Sequence, residues 1–177
     1  LLNSREDAVC ERVFLSPTGV PPASLESGQS LRRFDVVAFT LQYEEDYVNA
    51  VRMLIEAGIP LQAASRREND PLVIGGGPCP TANPLPLMNF FDFLLIGEAE
   101  SVVDRMIDVL KDASARRDKS VLCDIPGVYV PAAGEREVSK AFVGDLNSAP
   151  HPTGQVLPLT GYNSLLPILG RALVVEA

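Results

Sequence analysis

The sequence predicts a doubly wound α/β fold built on a parallel sheet, and three observations predict it. Residues 72–77 and 91–97 are short apolar runs that each stop at glycine, as buried strands do where a ligand crevice opens. Residues 35–41 form a near-continuous apolar run, the composition of a strand covered on both faces. Strand-like and helix-like segments alternate as far as residue 113, which is the signature of βα units rather than of hairpins.

Taken in order, residues 9–15 alternate enough to predict a first strand. Residues 16–22 are a loop by composition, and 24–27 a short extended piece ended by Gly28. After the strand at 35–41, Tyr47, Val48, Val51, Leu54 and Ile55 fall at helical spacing and predict one buried stripe on a helix over 44–57. Gly58 supplies a left-handed stop, and Pro60 bars continuation. A short strand is expected at 59–63, a polar loop at 65–71 and a strand at 72–74. Residues 78–89 carry four prolines, so any helix there is short. A strand at 92–96 follows. Val102, Val103, Met106, Ile107, Val109 and Leu110 then share one face of a helix over 101–113. The strands near 9–15, 36–41, 72–74 and 93–96 are expected to run parallel.

The character changes after Lys119. Residues 127–131 and 137–143, joined across Ala133 and Gly134, predict a β-hairpin. Residues 147–167 are rich in Pro, Gly, Ser and Thr, the composition of a domain boundary. Three parts are therefore expected: an α/β domain over 1–118, a hairpin extension over 119–146, and a linker over 147–177. The chain opens on Leu1 without Met and closes on the apolar run 172–177, so both ends read as cut from something longer.

Composition narrows the function. The chain has 177 residues, 46% hydrophobic and 21% charged, as ordinary globular domains have. A net charge of −8 argues against a nucleic-acid partner, which calls for a basic stripe. Arg66-Arg67 and Arg116-Arg117 read as solvated loop charges. No apolar run reaches the ~20 residues of a membrane helix. Cys10, Cys79 and Cys123 are far apart and odd in number, which fits a reducing cytoplasm. No nucleophile–base pair and no metal-ligand spacing is visible.

The candidate site lies at the strand ends. Gly75, Gly76, Gly77 and Pro78 form a glycine loop, with Thr81 just beyond it. Thr40 and Gly97-Glu98 close neighbouring strands. Backbone N–H groups of such a loop can cradle a phosphate or the nucleotide tail of a corrinoid; the alternative is a tight turn with nothing bound. Glu98 and Glu100 stand where a helix dipole favours carboxylates. Glu98 is also placed to hydrogen-bond loop backbone or a ligand hydroxyl. Cys79 lies inside the loop.

Gly76-Gly77-Pro78, Thr81, Pro84 and Ile96-Gly97-Glu98-Ala99-Glu100 together resemble the cobalamin-binding-type domain that precedes the catalytic domain of many radical S-adenosylmethionine (radical SAM) proteins. Residues 24–28, 34–44, 124–131 and 170–177 resemble one uncharacterised branch of that group. The resemblance implies a flavodoxin-like sheet of order 2-1-3-4-5, with residues 9–15 as its second strand and 36–41 as its third. It also implies a radical SAM catalytic domain in cis, which would hold a four-iron four-sulfur cluster and S-adenosylmethionine. Cobalamin in such domains takes a lower histidine ligand from an Asp-x-His-x-x-Gly motif. The single histidine here, His151, stands between Pro150 and Pro152 and lacks that motif. Three readings follow: a gating or supporting module of a radical SAM enzyme, inactive alone; a stand-alone nucleotide- or flavin-binding module; and a scaffold with an empty crevice.

Overall fold

The computed structural model describes residues 1–16, 19–112, 115, 118–145, 147 and 149. The expected linker, His151 and the terminal apolar run lie outside the described residues. The fold is α/β, on a four-stranded sheet of order β1-β2-β3-β4. Strands β1 (Val36–Thr40), β2 (Leu72–Gly76) and β3 (Phe93–Leu95) run parallel, and β4 (Val128–Tyr129) joins β3 antiparallel. The register sets Thr40 beside Gly76 and Ile74 beside Phe93.

Side-chain alternation divides the core between the two faces. Val37, Val73 and Leu94 meet Met53 and Leu54 of helix α1 (Glu45–Glu56). Phe93, Leu95 and Val128 meet Val103 and Met106 of helix α3 (Val103–Leu110), together with Leu122 and Ile125. Helix α1 ends as the sequence predicts. Gly58 adopts φ +68°, its N–H donates to Ile55 O, and the Ile59 N–H donates to Leu54 O, the paired bonds of a Schellman stop. The buried stripe of α1, however, is Ala50, Met53 and Leu54; Val48 and Ile55 are exposed.

Residues 9–15 form no strand. Their backbone is satisfied locally: the Cys10 N–H donates to Asn3 Oδ1, the Arg12 N–H to Glu26 Oε2, and Arg12 O accepts from the Leu25 N–H. The Ser24–Gly28 stretch is a turn closed by the Ala23–Ser30 bridge, which presents those partners. Among the described residues β1 is therefore an edge, with β2 its one neighbour. The expected strand at 59–63 is also absent; the chain there ends in a 3₁₀ turn, Ala63–Ser65. Residues 127–143 do not close as a simple hairpin. Val128 and Tyr129 pair with β3 instead, while Ala141 bridges Gly97 in parallel fashion and the Gly127 N–H donates to Ser139 O.

Arg66 is not a solvated loop charge. Its side chain is 3% exposed and lies 2.6 Å from Asp92 Oδ2. It also donates to Pro60 O, Leu61 O and Phe90 O. Asp92 Oδ2 accepts from the Val73 N–H at 2.8 Å, and Oδ1 stands 2.7 Å from Lys119 Nζ. This buried cluster pins β2 to β3 at the amino end of the sheet, opposite the glycine loop.

Candidate functional site at the carboxyl end of the sheet

The glycine loop begins in the last two residues of β2 and leads into α2 (Pro78–Ala82), a single turn with Pro78 at its first position. The three loop glycines serve different ends. Gly75 faces the core: a Cβ there would lie 2.8 Å from the Phe91 ring and 3.0 Å from Leu94. Gly76 completes the β1–β2 register, and its carbonyl accepts from the Leu41 N–H. Gly77 has φ +113°, and a Cβ on it would meet Leu41 O at 2.7 Å. Its missing side chain therefore admits the backbone of Leu41. Thr40 ends β1 exposed to solvent.

The loop's hydrogen-bond donors are few. Pro78 and Pro80 have no N–H. The Cys79 N–H donates to Leu41 O, and the Thr81 N–H turns back to Gly77 O. A phosphate cradle needs several backbone donors converging on one point, and the N–H groups of Cys79 and Thr81 are committed within the protein. Glu44, Glu45 and Asp46 stand at the same sheet end, and their field opposes an anion further. Asp46 itself holds the turn after β1: its carboxylate accepts from the N–H groups of Tyr43 and then Gln42, which keeps its pKa below the ordinary value.

Cys79 lies buried at the base of a hollow of about 330 Å³ lined by Gln42, Tyr47, Pro78, Asn83 and Pro86. Its Sγ donates to Gln42 O at 3.2 Å. Burial raises the thiol pKa, and the nearby Glu44 charge raises it further. Both effects favour the protonated thiol. Tyr47 is likewise raised, first by burial.

The second glycine turn joins the first through Thr81, whose Oγ1 accepts from the Gly97 N–H at 3.1 Å. Gly97 has φ +108°, and the space a Cβ would need is taken by the backbone of Ala141. The Glu98 N–H donates to Ala141 O, the Ala141 N–H donates to Ile96 O, and the Glu98 carboxylate accepts from the Val143 N–H. Residues 139–143 thus form a strap across the end of β3. Gly76, Gly77, Pro78, Thr81, Gly97 and Glu98 lie at one sheet end, with Gly75 directed into the core and Thr40 on the open edge. What fills the crevice beside Gly77 and Gly97 is polypeptide. The strap was not legible as such; the one sequence signal for it is the small residue Ala141, whose Cβ faces Gly127.

An iron–sulfur cluster needs cysteine thiolates. Among the described residues no group of three or more His, Cys, Asp or Glu is placed to hold a metal ion. Cys10 is exposed and Cys123 half-buried, remote from Cys79 in sequence. The described residues do not fit an iron–sulfur cluster. Among them, too, no helix is long and apolar enough to cross a membrane.

Comparison with known proteins bears on this arrangement. Residues 1–131 match the family described as radical SAM proteins, N-terminal. The chain belongs to this family. The radical SAM N-terminal match covers both glycine turns and β4. An uncharacterized protein of Methanocaldococcus jannaschii is 30% identical over 136 residues, 67% of this chain and 29% of its own length. A 3-methyl-2-oxobutanoate hydroxymethyltransferase of Pyrobaculum islandicum is 29% identical over 154 residues, 85% of this chain and 52% of its own length. The chain thus spans about half or less of the curated relatives it matches. No solved structure matches it.

Proposed function

We propose that this chain is the N-terminal module of a radical SAM iron–sulfur enzyme, supporting or gating radical chemistry that a catalytic domain in cis carries out. One observation carries the reading: the radical SAM N-terminal match over residues 1–131. The cluster and S-adenosylmethionine then belong to the catalytic domain. They would supply the reductive cleavage that starts the radical reaction; this module's residues neither bind nor activate them. The reading takes the sheet as part of a doubly wound, flavodoxin-like fold.

In this reading the module holds no corrinoid. Support comes from the glycine turns, where Leu41 and Ala141 fill the space at Gly77 and Gly97, and from Glu98, whose carboxylate is committed to the strap. The module acts through its shape: a rigid sheet end, sealed by its own strap, that covers a neighbouring active-site mouth and excludes water. The full-length protein titrated with hydroxocobalamin, and separately with a flavin, tests this by its ultraviolet–visible spectrum. The expected result is no spectral change and no retention of either on gel filtration. Stoichiometric retention of hydroxocobalamin that Gly77→Ala abolishes would overturn the sealed-crevice reading. Retained flavin would favour a nucleotide-binding module.

A further inference from the structure

Next to the sealed turns, the same sheet end carries a surface that the described residues leave uncovered. Residues 82–86 form a ridge between two hollows. On one side is the Cys79 hollow; on the other a groove of about 420 Å³ runs between the ridge and Ile96, Tyr129 and Val138. Leu85 crowns the ridge at 61% exposure, with Ala82 and Pro86 exposed beside it. We propose that this proline ridge and the apolar groove between it and Val138 form the seat of the catalytic domain in cis. The proposal rests on the radical SAM reading given above.

Four features fit the ridge to a protein partner. It is stiff: Pro84 and Pro86 fix their own φ angles, and Leu87 and Phe91 anchor the following turn in the core. A preordered surface loses little entropy on docking. It is apolar at the centre and charged at the rim, where Glu135 and Arg136 close the far wall of the groove; interfaces have that anatomy. Leu85, between two prolines, stays mostly exposed among the described residues. Finally, the chain itself points there. Val138 forms one wall of the groove, and the strap after it is fastened to Gly97 and Glu98 at this sheet end. Polypeptide following residue 143 therefore starts within reach of the ridge, and a domain in cis meets this surface at high effective concentration.

The test is site-specific photocrosslinking in the full-length protein. Leu85→p-benzoylphenylalanine is compared with Phe14→p-benzoylphenylalanine, an exposed aromatic site that lines neither hollow. Illumination followed by peptide mass spectrometry identifies the partner segment. The expected outcome is an intramolecular crosslink from position 85 to sequence beyond residue 145, absent from position 14 and lost when Val138→Asp is added. A crosslink confined to residues 1–145, a crosslink between two copies, or none at all would each overturn the docking face. The same preparation is assayed for reductive cleavage of S-adenosylmethionine. Cleavage without the crosslink removes the docking face alone. Failure of cleavage in the cluster-loaded protein removes the parent reading and this inference with it.

Discussion

Replacing Gly97 by alanine isolates the seal at the end of β3. Two costs combine. An alanine held at φ +108° carries backbone strain of roughly 1–3 kcal/mol. Its Cβ also cannot coexist with the Ala141 backbone, so the strap must lift. Lifting breaks the Glu98 N–H to Ala141 O and Ala141 N–H to Ile96 O bonds, both 3.0 Å, at about 1 kcal/mol each. The sum is about 3–5 kcal/mol. For a domain of this size each kcal/mol lowers Tm by roughly 2–4 °C. Gly134→Ala is the internal control: it shares a positive φ, +82°, but nothing lies within 4 Å of its Cβ. It registers strain without displacement. Thermal unfolding of the two variants should therefore place Gly97→Ala about 2 kcal/mol below Gly134→Ala, the two lost bonds at about 1 kcal/mol apiece. Hydrogen exchange at Ala141 and Val143 should accelerate in the Gly97 variant only. Equal Tm values, or unchanged exchange at both amides, would show that the strap does not rest on Gly97.

Other perturbations follow from the same contacts. Asp92→Asn leaves the buried Arg66 guanidinium without its carboxylate and should destabilise the domain by about 3–5 kcal/mol; a urea midpoint unchanged from the parent would contradict the pinning role. Glu98→Gln keeps the size but removes the charged acceptor of the Val143 N–H, so that amide should exchange faster while Ala50, in the α1 core, stays protected. The Cys79 thiol has a pKa raised above its ordinary 9.0 by burial and then by Glu44. A raised folded-state value makes its contribution to stability complete below pH ~9 and lost as pH rises through the folded pKa. Cys79→Ala should therefore blunt the alkaline fall in Tm, and at pH 8 iodoacetamide should label Cys10 well before Cys79; the reverse labelling order would refute the burial argument.

Legibility in the sequence followed the range of the determining contacts. The three parallel strands and the Gly58 stop rest on local composition and local bonds, and they read directly. Residues 9–15 alternate as a strand does, yet their partners are the side chains of Asn3 and Glu26 and the backbone of Leu25, which no periodicity announces. On α1 the apolar residues Val48 and Ile55 suggested a stripe that tertiary packing rotated toward Ala50 and Met53. Arg66 belongs to a short charge pair that ordinarily stays solvated; its partner Asp92 is 26 residues away. The glycine turns were visible as turns. Their use was not, because Ala141 and Val143 arrive from more than 40 residues downstream, with Glu98 and Val143 separated by 45.

The central claim is that this module serves a radical SAM catalytic domain and has no such activity by itself. The most direct measurement is reductive cleavage of S-adenosylmethionine after anaerobic reconstitution with iron and sulfide, made on the full-length protein and on residues 1–177 side by side. The account predicts cleavage by the full-length protein and none by residues 1–177. Cleavage by residues 1–177 alone, or a full-length protein that binds no cluster, would contradict it.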